Sequence, residues 1–209
     1  TILTELMPSS LYEVLEDSLT RLSLPEVLDV CTDVVAGLDY LHSHNPPIVH
    51  RDISSKNILI GGNRAKIADL GQAKVFGANA LSRQTSLPGA MAYSAPEVLT
   101  GKYSEKIDIF SFGVLVVQMA SGEYPRIERR DDQLTRAQGN HLPLASMMSN
   151  CLSFQPKERP KASEIYSQLN ALMANDRHYP AARRSTPQRD VGLLGRRWMA
   201  NHLETTTKD

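Results

Sequence analysis

Asp52 and Asn57 are the side chains whose types and spacing best suit chemistry on a hydroxyl. They stand five residues apart in the stretch IVHRDISSKNILI, from Ile48 to Ile60. A carboxylate can accept a hydroxyl proton, and an amide oxygen can join a carboxylate around a hard cation such as Mg²⁺. A five-residue spacing does not share one helix face, so a loop must bring the two together. His50, Arg51, Ser54, Ser55 and Lys56 lie around them, and apolar residues close both ends: Ile48-Val49 before, Ile58-Leu59-Ile60 after. Short apolar runs of this kind read as buried strands or strand-like edges. The loop is therefore expected to be pinned at both ends, with Asp52 presented at a fixed place.

The elements that must position this loop follow from the patterns on either side. Thr1 to Met7 is apolar and β-rich and reads as a strand that becomes a linker at Glu5-Leu6-Met7, broken by Pro8-Ser9-Ser10. Leu11 to Leu15 predicts one or two helical turns with Ser10 as N-cap. Ser23 to His44 is the clearest helix: Ser23 and Glu26 have capping-box spacing, and Pro25 sits in the first turn. Val27, Val30, Cys31, Val34, Val35, Leu38 and Leu41 form its three-four stripe. After the loop, Ile58-Leu59-Ile60, Gly61-Gly62-Asn63 and Ala65-Lys66-Ile67 predict a β-hairpin with a glycine turn. The two glycines are a turn rather than a phosphate loop, because no helix follows them and no Gly-x-Gly-x-x-Gly pattern exists.

Val75 to Pro88 is polar and without periodicity, which predicts a long loop. Ala95-Pro96-Glu97 opens a short helix. Ile107 to Ala120 is apolar nearly all round and belongs in the middle of a domain. Asp108 near its start suits the helix dipole and capping. Arg126 to Gln138 reads as a surface loop and short helix, Leu142 to Leu152 and Ala162 to Met173 as amphipathic helices. From Asn175 to Asp209 the apolar pattern fades and arginines accumulate, which reads as a basic, disordered tail.

Composition bounds the function classes. The chain has 209 residues, 41% hydrophobic and 22% charged, with formal net charge zero. That length suits one domain, or one plus a tail. Neutrality gives no bulk electrostatic support for nucleic-acid or membrane binding. Cys31 and Cys151 lie in apolar helical patterns and read as buried free thiols of a reducing compartment. The longest apolar run, Ile107 to Ala120, is too short and too polar to span a bilayer. The first residue is Thr1, inside an apolar segment, so the chain reads as a piece of a longer product.

Three motifs stand in one order: His50-Arg51-Asp52 with Asn57, then Asp69-Leu70-Gly71, then Ala95-Pro96-Glu97. With Asp108-Ile109-Phe110-Ser111-Phe112-Gly113 and Arg159-Pro160 behind them, they resemble the eukaryotic protein-kinase family. The resemblance covers residues 1–174 and implies an α+β, mainly α, kinase-like fold: the large lobe with the hinge and the last small-lobe strand. It implies ATP and Mg²⁺ as cofactors, a protein substrate, and neither nucleic acid nor a membrane segment in this chain. Asp52 would accept the substrate hydroxyl proton, Asp69 would bind the Mg²⁺ bridging the phosphates, and Asn57 a second Mg²⁺. Leu59 is expected beneath the adenine ring, Glu5 and Met7 at the hinge, and Thr4 at the gatekeeper position. Arg51 is expected to meet a phosphorylated activation loop, with Ser82, Thr85 and Ser86 as candidate phosphosites. His50 and Leu70 are expected to pack in an apolar column, and Glu97 and Arg159 to form a buried structural ion pair. Asp108 marks the central large-lobe helix.

Departures from the family pattern carry information too. Leu70 stands where Phe is usual. Ser54 occupies the place of the lysine common in serine/threonine kinases, while Lys56 resembles the basic residue of many tyrosine kinases and joins the catalytic candidates. Tyr93 before Ser94-Ala95-Pro96-Glu97 fits the serine/threonine side. The mixture resembles the tyrosine-kinase-like group and leaves the acceptor open between Ser/Thr and Tyr. The 209 residues contain no glycine-rich loop and no Val-Ala-x-Lys strand, so the small lobe, save its last strand, is expected to be missing. Two readings follow: the large lobe of an active cytoplasmic kinase, or of the cytoplasmic part of a receptor, and a truncated kinase-like binding or regulatory module without catalysis.

Overall fold

The computed structural model describes residues 5–17, 22–62, 64–75, 91–100 and 104–175. In chain order these form β1 (Ser9–Ser10), α1 (Leu11–Asp17), α2 (Leu24–His42), β2 (Ile48–Val49), β3 (Ile58–Gly61), β4 (Arg64–Ile67) and β5 (Lys74–Val75). Four helices follow: α3 (Lys106–Ser121), α4 (Arg130–Asn140), α5 (Ala145–Cys151) and α6 (Ala162–Asn175). The architecture is mainly helical with small antiparallel sheets, the α+β class expected.

Helix α3 is the centre. Every residue from Ile107 to Ala120 is buried, and side chains such as Phe112 and Leu115 are fully enclosed. Burying one such side chain contributes roughly 1.5–3 kcal/mol. Gly113 allows α5 to approach: a Cβ placed there would lie 2.8 Å from Cys151 Cβ. Gly122 ends the helix in the left-handed region at φ 73°, and its N–H returns to Gln118 O at 2.9 Å.

Helix α2 begins as its capping residues predict, the Ser23 N–H donating to the Glu26 carboxylate at 2.8 Å. Its stripe from Val27 to Leu38 is buried, and it packs against α3, α6 and β4. Cys31 and Cys151 are free and buried. Burial pushes the Cys151 thiol up to about 12 and moves Cys31 in the same direction, so neither is a thiolate nucleophile.

Two antiparallel pairings fix the ends of the loop. In one sheet, of order β1-β3-β4, Ile58 faces Ile67 and Gly61 faces Arg64. In the other, Ile48 pairs with Val75 and Val49 with Lys74. The loop between β2 and β3 is thus held from both sides. Ser9-Ser10, expected as a break with Ser10 as an N-cap, also adds a short strand, pairing with Ile60 and Leu59. The proline before it removes a donor but favours extended backbone, so the serines can join an open edge. Residues 5–7 are non-helical and non-strand, in keeping with a linker. The expected strand at 1–4 with Thr4, most of the long loop with Ser82, Thr85 and Ser86, and the tail from 176 onward lie outside the described residues.

Candidate active site

The loop is suspended from one buried carboxylate. Asp108, 1% exposed, was expected to serve the start of its own helix. It turns instead to the loop: Oδ2 accepts the His50 N–H and Oδ1 the Arg51 N–H, each at 2.8 Å. His42, at the last residue of α2, pairs with Oδ2 at 2.9 Å. Two consecutive backbone donors on one carboxylate impose a tight bend, and Arg51 adopts φ 73° to make it. A non-glycine residue there is strained and persists only where its surroundings over-determine it.

His50 is fully buried and ties two segments together. Its Nε2–H donates to Ala68 O at 3.0 Å, and its Nδ1 accepts the Asp52 N–H at 3.3 Å. Those roles require the neutral imidazole with its proton on Nε2. Ala68 is also reached from the other side, its N–H donating to Asn57 O at 2.8 Å. That bond continues the β3–β4 ladder by one residue and sets Asp69, the next residue, beside Asn57.

Asn57 donates both amide hydrogens to Asp52, one to the backbone carbonyl and one to Oδ2, each at 2.8 Å. The amide orientation is thereby fixed, with the Asn57 carbonyl oxygen left as the acceptor face. Asp52 itself is part-buried, with its carboxylate locked at one oxygen. The turn carrying Asn57, Ser55–Asn57, is anchored beneath by Ser55, which is buried and shares a hydrogen bond of 3.0 Å with the Tyr93 hydroxyl. Tyr93 donates in turn to Gln118 on α3 at 2.5 Å. Burial pushes the Tyr93 phenol well above its ordinary range, so it stays a donor.

Asp69 is exposed and left-handed, at φ 62°, and its Oδ1 accepts the Gly71 N–H at 3.0 Å. Leu70 does not pack with His50 as expected: it is 57% exposed. The reason is local. The left-handed residue at 69 starts a tight turn that swings Leu70 outward, and no described element lies over it. Arg51 Nη1 donates to Gln72 O at 3.4 Å, so the arginine reaches the segment just after the turn.

Lys56 is exposed and turns toward α1, its Nζ lying 4.9 Å from the centroid of the Tyr12 ring. Among the described residues it forms no ion pair with Asp52. Leu59 points to the opposite face of β3 from the buried Ile58 and Ile60 and is only half-buried. Met7 lies against the end of β3, its Sδ 3.0 Å from where a Gly61 Cβ would stand. Glu5 pairs with Lys66 on β4.

The family model for the protein kinase domain matches residues 1–188. This chain belongs to the protein kinase family. A probable serine/threonine-protein kinase, drkC of Dictyostelium discoideum, is 32% identical over 187 residues, 82% of this chain and 25% of that protein. Probable serine/threonine-protein kinase WNK9 of Oryza sativa subsp. japonica is 36% identical over 129 residues, 61% of this chain and 30% of that protein. Serine/threonine-protein kinase TNNI3K of Rattus norvegicus is 29% identical over 180 residues, 79% of this chain and 22% of that protein. The chain therefore spans under a third of the length of each of these relatives.

Within this kinase fold, Arg159 is 1% exposed and clasps Glu97 with two hydrogen bonds, at 2.5 and 2.9 Å. Its remaining donors go to Ser153 O at 2.9 Å and Lys106 O at 3.0 Å, and Phe110 lies 4.8 Å from its guanidinium. This pair is far from Asp52 in role: it fastens the Pro96–Thr100 turn to α3 and the segment before α6. Arg130, which donates to Ala92 O at 2.6 Å, holds the neighbouring segment in the same way.

The donors fit Mg²⁺. Asp69 offers a carboxylate with one oxygen free of the Gly71 bond, and Asn57 an amide oxygen. Among the described residues no group of three or more His, Cys, Asp or Glu converges as a closed metal cage. An exposed carboxylate and an amide oxygen are hard donors of the kind that suit a cation keeping waters and phosphate oxygens in its shell. Sequence reasoning missed His42, Tyr93 as an anchor for Ser55, Gln118 and Arg130. Only the polar type of His42 at the end of an apolar stripe hinted at a contact. The others become partners through tertiary packing alone.

Proposed function

We propose that this chain is the large lobe of a MgATP-dependent protein kinase of the tyrosine-kinase-like group, acting in the cytoplasm on Ser or Thr hydroxyls of a protein substrate. The observation that carries the reading is the double hydrogen bond from Asn57 to Asp52, which holds a carboxylate and an amide in one rigid unit. Phosphoryl transfer needs positioning and charge neutralisation more than covalent chemistry from the protein. Asp52 accepts the proton of the acceptor hydroxyl as its oxygen bonds the γ-phosphorus. The bond to the bridging oxygen breaks, and ADP leaves. Asp69 and Asn57 would hold Mg²⁺, which when bound neutralises phosphate charge. Leu59, Met7 and the Glu5 backbone would receive the adenine. The Ser/Thr preference is supported by the names of the relatives and by Tyr93 before Ser94-Ala95-Pro96-Glu97. Arg51 would meet a phosphate on Ser82, Thr85 or Ser86, which mass spectrometry of active protein detects.

A second reading has its own observation: these residues include no glycine-rich loop and no Val-Ala-x-Lys strand. A small lobe supplied from elsewhere, or a module that only binds, would each account for it. The test compares γ-phosphate transfer by the 209-residue chain with that of the longest natural product of its gene. We expect no transfer from the first. From the second we expect transfer that Asp52→Asn lowers at least ~100-fold, the loss typical of removing a general base. A product that never binds or turns over MgATP favours the binding module, and undiminished transfer by Asp52→Asn removes Asp52 from its role.

A further inference from the structure

The turn that presents Asn57 to Asp52 is braced by a ladder of tyrosine rings that family motifs do not account for. Tyr93, buried under the turn, stands edge-to-face with Tyr124, the ring centroids 6.3 Å apart and the planes at 89°. Tyr124 stands edge-to-face with Tyr12 of α1, at 6.4 Å and 87°. The ladder closes at both ends on consecutive residues of the turn. Tyr93 bonds Ser55 through its hydroxyl, and the Tyr12 ring receives the Lys56 ammonium 4.9 Å from its centroid. Asn57 is the next residue. The backbone that carries the middle ring is itself held: Gln133, 3% exposed, donates to the Tyr124 backbone carbonyl at 2.8 Å and accepts the Arg126 N–H at 3.0 Å. At the outer end, the Tyr12 hydroxyl donates to Glu16 one helical turn later.

We propose that Tyr12 and Tyr124 are positioning residues for the catalytic turn, coupling α1 to the orientation of Asn57 against Asp52. Edge-to-face rings and a cation over a ring face each contribute modestly. Here three such contacts form one closed circuit around a three-residue turn, Ser55–Asn57. The circuit runs from a core side chain, Gln118, to exposed Lys56, so a change at α1 reaches the turn without passing through the nucleotide site. The proposal rests on the kinase reading for its effect on turnover but not for its effect on the turn.

The test uses the longest natural product of the gene, with Tyr12→Leu and Tyr124→Leu against Tyr12→Phe and Tyr124→Phe. Amide hydrogen exchange is read at Lys56 and Asn57, whose N–H donates to Ser54 O at 3.0 Å. Losing one ring contact should speed exchange there about two- to tenfold, with exchange in α3 unchanged; the Phe variants, which keep the rings, stay at the wild-type rate. In turnover, the Leu variants should lower kcat with the KM for ATP held, and Phe should restore it. Wild-type exchange at Asn57 in both Leu variants overturns the proposal. So does acceleration in the Phe variants equal to that in the Leu variants, which would assign the effect to the hydroxyls. A product without kinase activity defeats the functional reading alone, because the exchange measurement still decides the coupling.

Discussion

The candidate site is built from two strained segments held in opposite ways. Arg51 and Asp69 are the non-glycine residues with positive φ among the described residues. Around Arg51 the backbone hangs on Asp108, His50 is enclosed, and Ile53 is 1% exposed. Around Asp69 the turn is held by its own carboxylate through Gly71, and the next side chain, Leu70, is 57% exposed. The first segment is dictated by the core. The second is dictated by three of its own residues and by the ladder that feeds it. The half of the proposed site that would accept the proton is thus tied to the core, while the half that would face phosphate and metal is held mainly by its own turn.

The sharpest way to break this contrast is Asp108→Ala. It leaves the buried His50 N–H and the part-buried Arg51 N–H without their acceptor, at ~1–3 kcal/mol each. A loss of about 2–6 kcal/mol is expected in urea unfolding; a smaller loss would mean that the loop is held elsewhere. A paired comparison comes next in size. Ile53→Ala should cost about 2–5 kcal/mol as a core truncation, whereas Leu70→Ala should stay within about 0.5 kcal/mol as a surface change. Equal losses in the two variants would erase the distinction between the segments.

The smallest effect concerns the support under the second segment. Asp33 on α2 accepts the Ala65 N–H of β4 at 2.9 Å and pairs with Arg64 at 3.1 Å. Burial raises its carboxyl above the ordinary range even so, because Arg64 is largely exposed and its charge is screened by water. The folded state therefore holds the proton more tightly than the unfolded chain. This contribution is fully present below about pH 4 and is lost as pH rises through the raised folded value. Urea midpoints measured from pH 4 upward should show that decline in wild type, and Asp33→Asn should flatten it.

Much of the fold was legible because its signals are local. Capping at Ser23 and Glu26, the stripe of α2, the Gly61-Gly62 turn and the continuous apolar run of α3 each report on neighbours a few residues away. The motifs around Asp52, Asn57 and Asp69 were legible because their order and spacing are unusual. Leu70 was misjudged because a residue type signals a preference for burial and says nothing of which element will cover it. The contact of Lys56 with the Tyr12 ring was not legible for a similar reason: a long cation chooses among rings and carboxylates that sequence does not bring near.

By itself the sequence determined which residues could form the reacting centre, that a loop between two short strands must carry them, and that one apolar helix must lie behind it. Tertiary structure alone decided that Asp108 of this helix leaves its own N-terminus to hold the His50 and Arg51 backbone, and that Tyr93 reaches Ser55 from below. The physical reason is range. Helix and turn propensities act over a few bonds, whereas a buried carboxylate or hydroxyl takes whichever donors the packed core places within hydrogen-bond reach.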